Sequence, residues 1–168
     1  MDKLKEKAKP LKRHPALVPL SRDHHFGLLL CWKIRMGLKT GIEPERIASY
    51  TLYFHNDHLL PHFNAEEECV FVLVDEKNEK RKKAESQHRR LGRLAQKLVD
   101  EPEKLKITLG QIEEELDIHI RFEERDFFPY IQEQQDEEGL ELLRIKLEEI
   151  HEEVPEVWED KFWEKKPK

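Results

Sequence analysis

Thiols are scarce in this chain of 168 residues, which has only Cys31 and Cys69. No CxxC spacing occurs, so neither a disulfide framework nor a thiolate zinc site is indicated. Glycine is also scarce, at six. No apolar run approaches the roughly 18 residues that span a bilayer. The opening residues are polar, so no signal peptide is expected. Positive charge is not in excess: the net charge is −6, which argues against a general nucleic-acid footprint. These absences leave no nucleic-acid or membrane partner to expect, and a reduced cytoplasmic setting as the default. What is present is charge (39 %) and apolar residues (38 %) in nearly equal share. That mix suits a helical protein with strongly solvated outer faces.

The length is that of one domain, long enough to bury a core without cross-links. Residues 1–14 read as a solvated basic tail, with Lys3, Lys5, Lys7, Lys9, Lys12 and Arg13. Residues 15–154 read as the folded unit and 155–168 as a second tail, whose Trp158 and Trp163 can pack back on it. Within the unit, apolar residues recur at steps of three and four. The pattern predicts a first helix over about Ser21 to Lys39, ended by Gly41. A second helix should run from Pro44 to Val74, disturbed one residue before His62 by Pro61. A third is expected over Glu79 to Val99. A fourth is expected over Glu103 to Gln134, with a second disturbance at Pro129. A shorter fifth helix over 137–151 should carry Leu140, Leu143, Ile145, Leu147 and Ile150 inward. Four long helices with short connections argue for an all-α, up-down-up-down four-helix bundle with an additional C-terminal helix.

Two stretches share a skeleton: HFNAEEECVF, opening at His62, and HIRFEERDFF, opening at His119. Each has a glutamate four residues after its histidine, Glu66 and Glu123. Spacing alone decides nothing, because chance gives about one such pair at this density of His and Glu, whatever the helical period. Register carries more. One histidine interrupts the apolar stripe of each long helix: His24, His62, His88 and His119. Glu66 and Glu123 interrupt two of those stripes again one turn on. A carboxylate in a core position is costly unless it is paired, protonated or metal-bound. Four imidazoles and two carboxylates meeting near one axis suit iron, manganese or zinc. The bland alternative for each histidine is a satisfied core imidazole.

The two stretches resemble the signature segments of hemerythrin-like domains, also called HHE cation-binding domains. LSRDHHFGLLL is similar to that family's first-helix segment, and His88 to its third-helix histidine. The resemblance covers about residues 15–135. It implies a four-helix bundle around a non-haem, carboxylate-bridged di-iron centre. His24, His62, His88 and His119 would be terminal ligands, and Glu66 and Glu123 the bridges. It also implies binding or sensing of oxygen, peroxide or nitric oxide, or a role in iron and redox stress, with a redox partner to match. Two departures bear on this. The position one turn after His88 is Gly92, where the oxygen carriers have a histidine. Glu124 competes with Glu123, since the carriers usually place the carboxylate five residues after the histidine. His58 and His25 are the substitutes available for a missing ligand, and His25 also competes with its neighbour His24. The chain is therefore expected to be a metal-binding sensor or carrier rather than a substrate-specific enzyme. A di-iron oxidase or peroxidase and a metal-free helical interaction domain are the alternatives. Neither the physiological ligand nor the oligomeric state follows from the sequence.

Overall fold

The computed structural model describes residues 12–165. Most of the basic tail, residues 1–11, lies outside them, as do residues 166–168. Among the described residues the secondary structure is helical, with no strand. Helix α1 is Val18–Lys39, three residues longer at its start than the expected span. Pro19 occupies its first turn, where a missing N–H costs nothing and the fixed φ is already helical. The helix ends in a Schellman turn: Gly41 has φ 74°, and the Ile42 N–H reaches back to Gly37 O at 3.0 Å.

The second helical rod is α2 (Pro44–Phe54), a π turn at His55–Leu59, and α3 (Leu60–Ala65). A second π turn at Glu66–Val70 and a 3₁₀ turn at Phe71–Leu73 complete it. The disturbance expected from Pro61 is thus a widened turn, in which the Leu60 N–H bonds His55 O five residues back. Helix α4 is Glu79–Asp100, capped by the Asn78 side chain on the Lys80 and Arg81 N–H groups. After a 3₁₀ turn at Pro102–Lys104, the last rod is α5 (Leu105–Phe122), a π turn at Glu123–Phe127, and α6 (Phe128–Gln134). Pro129 follows that π turn as Pro61 follows the first. Helix α7 is Glu137–Ile150. It buries Leu140, Leu143 and Leu147, while Ile145 and Ile150 are exposed, contrary to expectation. Ile145 lies two positions from Leu143 and from Leu147, so a stripe stepping by three and four excludes it; Ile150 keeps the step from Leu147 but is the last residue of the helix.

Helix α5 packs on α1, α2 and α4, while α2 touches α1 and α4; α7 lies on the second π turn. Two apolar clusters fill the space between the rods. One contains Leu30, Ile34, Tyr50, Leu94, Leu109 and Ile120. The other contains Leu17, Leu20, Phe71, Phe127, Phe128 and Leu143. Fully burying each such side chain is worth ~1.5–3 kcal/mol, so the clusters hold the rods whatever lies between them. What lies between is polar. His24 falls between Leu20 of one cluster and Leu30 of the other, and His88 between Ala84 and Leu91. Gly27 lets α1 approach closely at this level, since a Cβ there would meet Ile120 Cδ1 at 2.7 Å.

The segment after α7 returns across the first cluster. Phe162 is buried, and Trp158 and Trp163 pack on Tyr50. Lys33 is covered by this segment. Its ammonium sits 3.8 Å over the Trp163 ring and 2.8 Å from the Tyr50 hydroxyl. The Tyr50 hydroxyl is taken by Lys33 and Glu156, away from the polar layer.

Candidate metal centre

The buried polar layer contains six of the sequence-selected residues: His24, His62, Glu66, His88, His119 and Glu123. Both glutamates are 0 % exposed. Their ligand-type atoms fall into two groups, His24, His62, Glu66 and Glu123, and Glu66, His88, His119 and Glu123. Within each group these atoms lie within 4.8 Å of one another. Both groups contain both carboxylates, which therefore lie between two histidine pairs.

The local backbone explains the convergence. Each His–Glu pair spans one regular helical turn, with the Glu66 N–H on His62 O and the Glu123 N–H on His119 O. Each glutamate then opens a π turn. The Phe71 N–H bonds Glu66 O, and the Phe128 N–H bonds Glu123 O. The distances are closely matched. His62 Nε2 is 2.5 Å from Glu66 Oε1, and His119 Nε2 is 2.8 Å from Glu123 Oε1. His24 Nε2 is 3.2 Å from Glu123 Oε2, and His88 Nε2 is 3.7 Å from Glu66 Oε1. The two Nε2 atoms within a pair are 3.2 Å apart for His24 and His62, and 3.1 Å for His88 and His119.

The outer nitrogen of every ring has an acceptor. His24 Nδ1 lies 2.6 Å from Glu124, and His62 Nδ1 lies 2.8 Å from Asp23. His119 Nδ1 lies 2.6 Å from Gln87, and His88 Nδ1 lies 3.4 Å from Glu67. The supports are themselves tied, Glu124 by Arg13 at 2.9 Å and Asp23 by His151 at 2.7 Å. These acceptors assign the proton of each ring to Nδ1 and turn the Nε2 lone pair inward. The pattern is two-fold. The residue before the histidine on α1 or α4 (Asp23, Gln87) serves the histidine of the other rod. The residue after each buried glutamate (Glu67, Glu124) serves His88 or His24. Phe63 stacks on His88 at 3.9 Å between centroids, Phe71 does so at 5.3 Å, and Phe128 stacks on His24 at 5.4 Å. The rings cover one side of the layer with apolar surface.

Electrostatics follow this geometry. Burial works against a charged His62, but Glu66 and Asp23 outweigh it and raise its pKa to about 10. His24 and His88 are raised against burial in the same way, by Glu123 with Glu124 and by Glu123 with Glu66. Burial would raise Glu123, yet the charge on His119 and the neighbouring contacts hold it well below its ordinary value. Asp23 and Glu124 are buried enough to be pushed up, but their histidine partners bring both down to about 2. The cluster therefore demands positive charge at its centre.

Protons on the histidines or a metal ion can each supply that charge, and the carboxylate oxygens favour the metal. All four oxygens of Glu66 and Glu123 are buried without a hydrogen bond. Their close approaches to Nε2 lack hydrogen-bond alignment, as expected when both atoms aim lone pairs at a third point. Uncompensated burial of such ions costs about several kcal/mol each, a debt that a coordinated cation removes. The residues thus fit a metal centre of nitrogen and oxygen donors, suited to iron, manganese or zinc.

The other sequence-selected residues stand apart from both groups. His25 is exposed beside Phe26. His58 packs on Phe54 at 4.9 Å and approaches the Tyr53 hydroxyl at 3.4 Å. His58 lies within the first π turn, whose wider spacing departs from the helical register that His62 keeps on α3. Glu124 supports His24 from behind. Gly92 leaves open space, with nothing within 4 Å of a Cβ built there. Cys69 is buried among the apolar side chains under α7, and Tyr130 bonds Asn78. Sequence reasoning passed over Asp23, Gln87 and His151, although the first two directly precede a selected histidine. No family model, curated protein or solved structure matches the chain.

Proposed function

We propose that the chain is a hemerythrin-like four-helix bundle holding a carboxylate-bridged di-iron centre. It would bind or sense oxygen, peroxide or nitric oxide, or handle iron under redox stress. One observation carries this reading: two buried carboxylates, unbonded at all four oxygens, lie between two histidine pairs whose Nδ1 atoms are all anchored outward. His24 and His62 would hold one ion, His88 and His119 the other, with Glu66 and Glu123 between them. Held there, a ferrous pair would supply the chemistry of paired one-electron donors to a small oxidant, or of a site for a diatomic ligand.

The chain's own residues do the remaining work. Asp23, Glu124, Gln87 and Glu67 keep each Nδ1 protonated and each Nε2 free. Phe63, Phe71 and Phe128 limit water. Gly92 supplies no fifth nitrogen, which supports an asymmetric or solvent-completed centre over reversible oxygen carriage. The same donor set accepts manganese or zinc, so metal identity is part of the test.

The experiment is metal analysis with absorption spectra, after anaerobic ferrous loading and again in air. Two irons per chain with near-ultraviolet charge-transfer bands are expected. The double change Glu66→Ala and Glu123→Ala should abolish both. A spectrum surviving it would defeat the bridging roles, and failure to retain any metal would defeat the whole reading.

A further inference from the structure

A cavity of about 820 Å³ opens against the ligand groups. His24, His62 and His119 form part of its wall. A diatomic or peroxide ligand needs a space on the order of one water molecule, ~30 Å³. Pockets for small organic molecules run to about 300–1,000 Å³. The cavity belongs to the second class, so the proposed ligands do not account for it.

Its wall specifies a chemistry. The inner part is apolar, with Leu59, Phe63, Leu116 and Ile120 all buried. The outer part is acidic. Asp23, Asp57, Glu152, Glu153 and Glu156 line it against one guanidinium, Arg22. Three of these carboxylates are engaged. Asp23 bonds His62 and His151, Glu153 lies 3.8 Å from Arg22, and Glu156 meets Tyr50 and Lys33. Asp57 and Glu152 remain as exposed carboxylates at the rim. They sit on different segments, the first π turn and the chain beyond α7. Positive charge on the raised His24 and His62 lies at the inner wall against Glu66, Glu123, Glu124 and Asp23, so the excess at the rim is the negative charge of Asp57 and Glu152, which draws in a cation.

We infer that this cavity binds a mainly apolar small molecule bearing a cationic amine. The apolar body lies against Phe63, Leu116 and Ile120, with the ammonium group at Asp57 and Glu152. The inference rests on the metal reading only for what the buried end of the ligand faces. Binding itself needs the cavity alone.

Calorimetric titration of the full chain, both metal-loaded and after metal removal, tests it. Phenethylamine, phenethyl alcohol and phenylacetate share an aromatic body and differ in charge. The amine should bind about fivefold tighter than the alcohol, the scale of exposed charge pairs, and phenylacetate weakest. Asp57→Asn with Glu152→Gln should bring the amine to the level of the alcohol and leave the alcohol unchanged. Phenylacetate binding as tightly as the amine would overturn the charge assignment. No binding by any of the three would overturn the cavity assignment. Metal content is measured on the same samples: amine binding by a chain that retains no metal supports this inference while defeating the di-iron reading.

Discussion

At the scale of single residues, orientation is what turns a buried histidine into a candidate ligand. His62 and His119 are alike in spacing, burial and ring contact, yet their Nδ1 partners differ. Asp23 is an anion tied to His151, and Gln87 is neutral. Such supports typically govern metal affinity by about 10–100-fold. Asp23→Asn and Gln87→Ala should therefore each weaken metal retention on that scale in competition with a chelator. An unchanged affinity in both would remove them from the site. The four buried histidines and two buried glutamates of the layer were legible because they interrupt apolar stripes. Of their supports Glu124 was singled out, as a competing ligand; Asp23 and Glu67 were not, because they occupy positions where a charged residue facing solvent looks ordinary. Only the partner helix reveals what they face.

At the scale of elements, the prolines and glycines had readable consequences with an unreadable form. Pro61 and Pro129 announce a break, but the sequence does not say whether the rod bends or widens. A π turn precedes each, and a third begins at Glu66 with no proline after it. His58 lies within the first of these turns and outside both groups, while His62 on α3 belongs to one of them. Two glycines offer a contrast. Gly41→Ala forces a side chain into a left-handed position, at a cost of about 1 kcal/mol. It should lower Tm by about 2–4 °C in a chain of this size, with metal content unchanged. Gly27→Leu should instead press α1 away from Ile120 and draw His24 from Glu123, so metal retention falls. Calorimetry and metal analysis on the pair check this, and equal metal loss in both would show that the α1–α5 approach does not position the site.

At the scale of the whole molecule, the polar layer couples metal binding to pH. Without metal, His62 titrates at about 10 rather than the ordinary 6.5. A raised folded-state value means the protonated partner's stabilisation is complete below about 6.5 and lost as pH rises through about 10. A metal ion needs the neutral ring, so loading must release protons in that window. The Tm gain on zinc loading should then grow between about pH 6.5 and 9. A gain that stays flat over this range would place the proton elsewhere. The sequence by itself determined that the described chain is helical, roughly where the rods lie, and which six residues interrupt their apolar faces. Periodicity and burial cost are local properties, and each rod carries its own. The described helices include none long and apolar enough to cross a membrane, in keeping with the short apolar runs of the sequence. Only the tertiary structure decided that those six residues share one layer between two apolar clusters, that each imidazole is aimed by a neighbouring rod, and that an acid-rimmed cavity opens beside them. Those properties depend on distances between residues far apart in the chain, which helical periodicity does not encode.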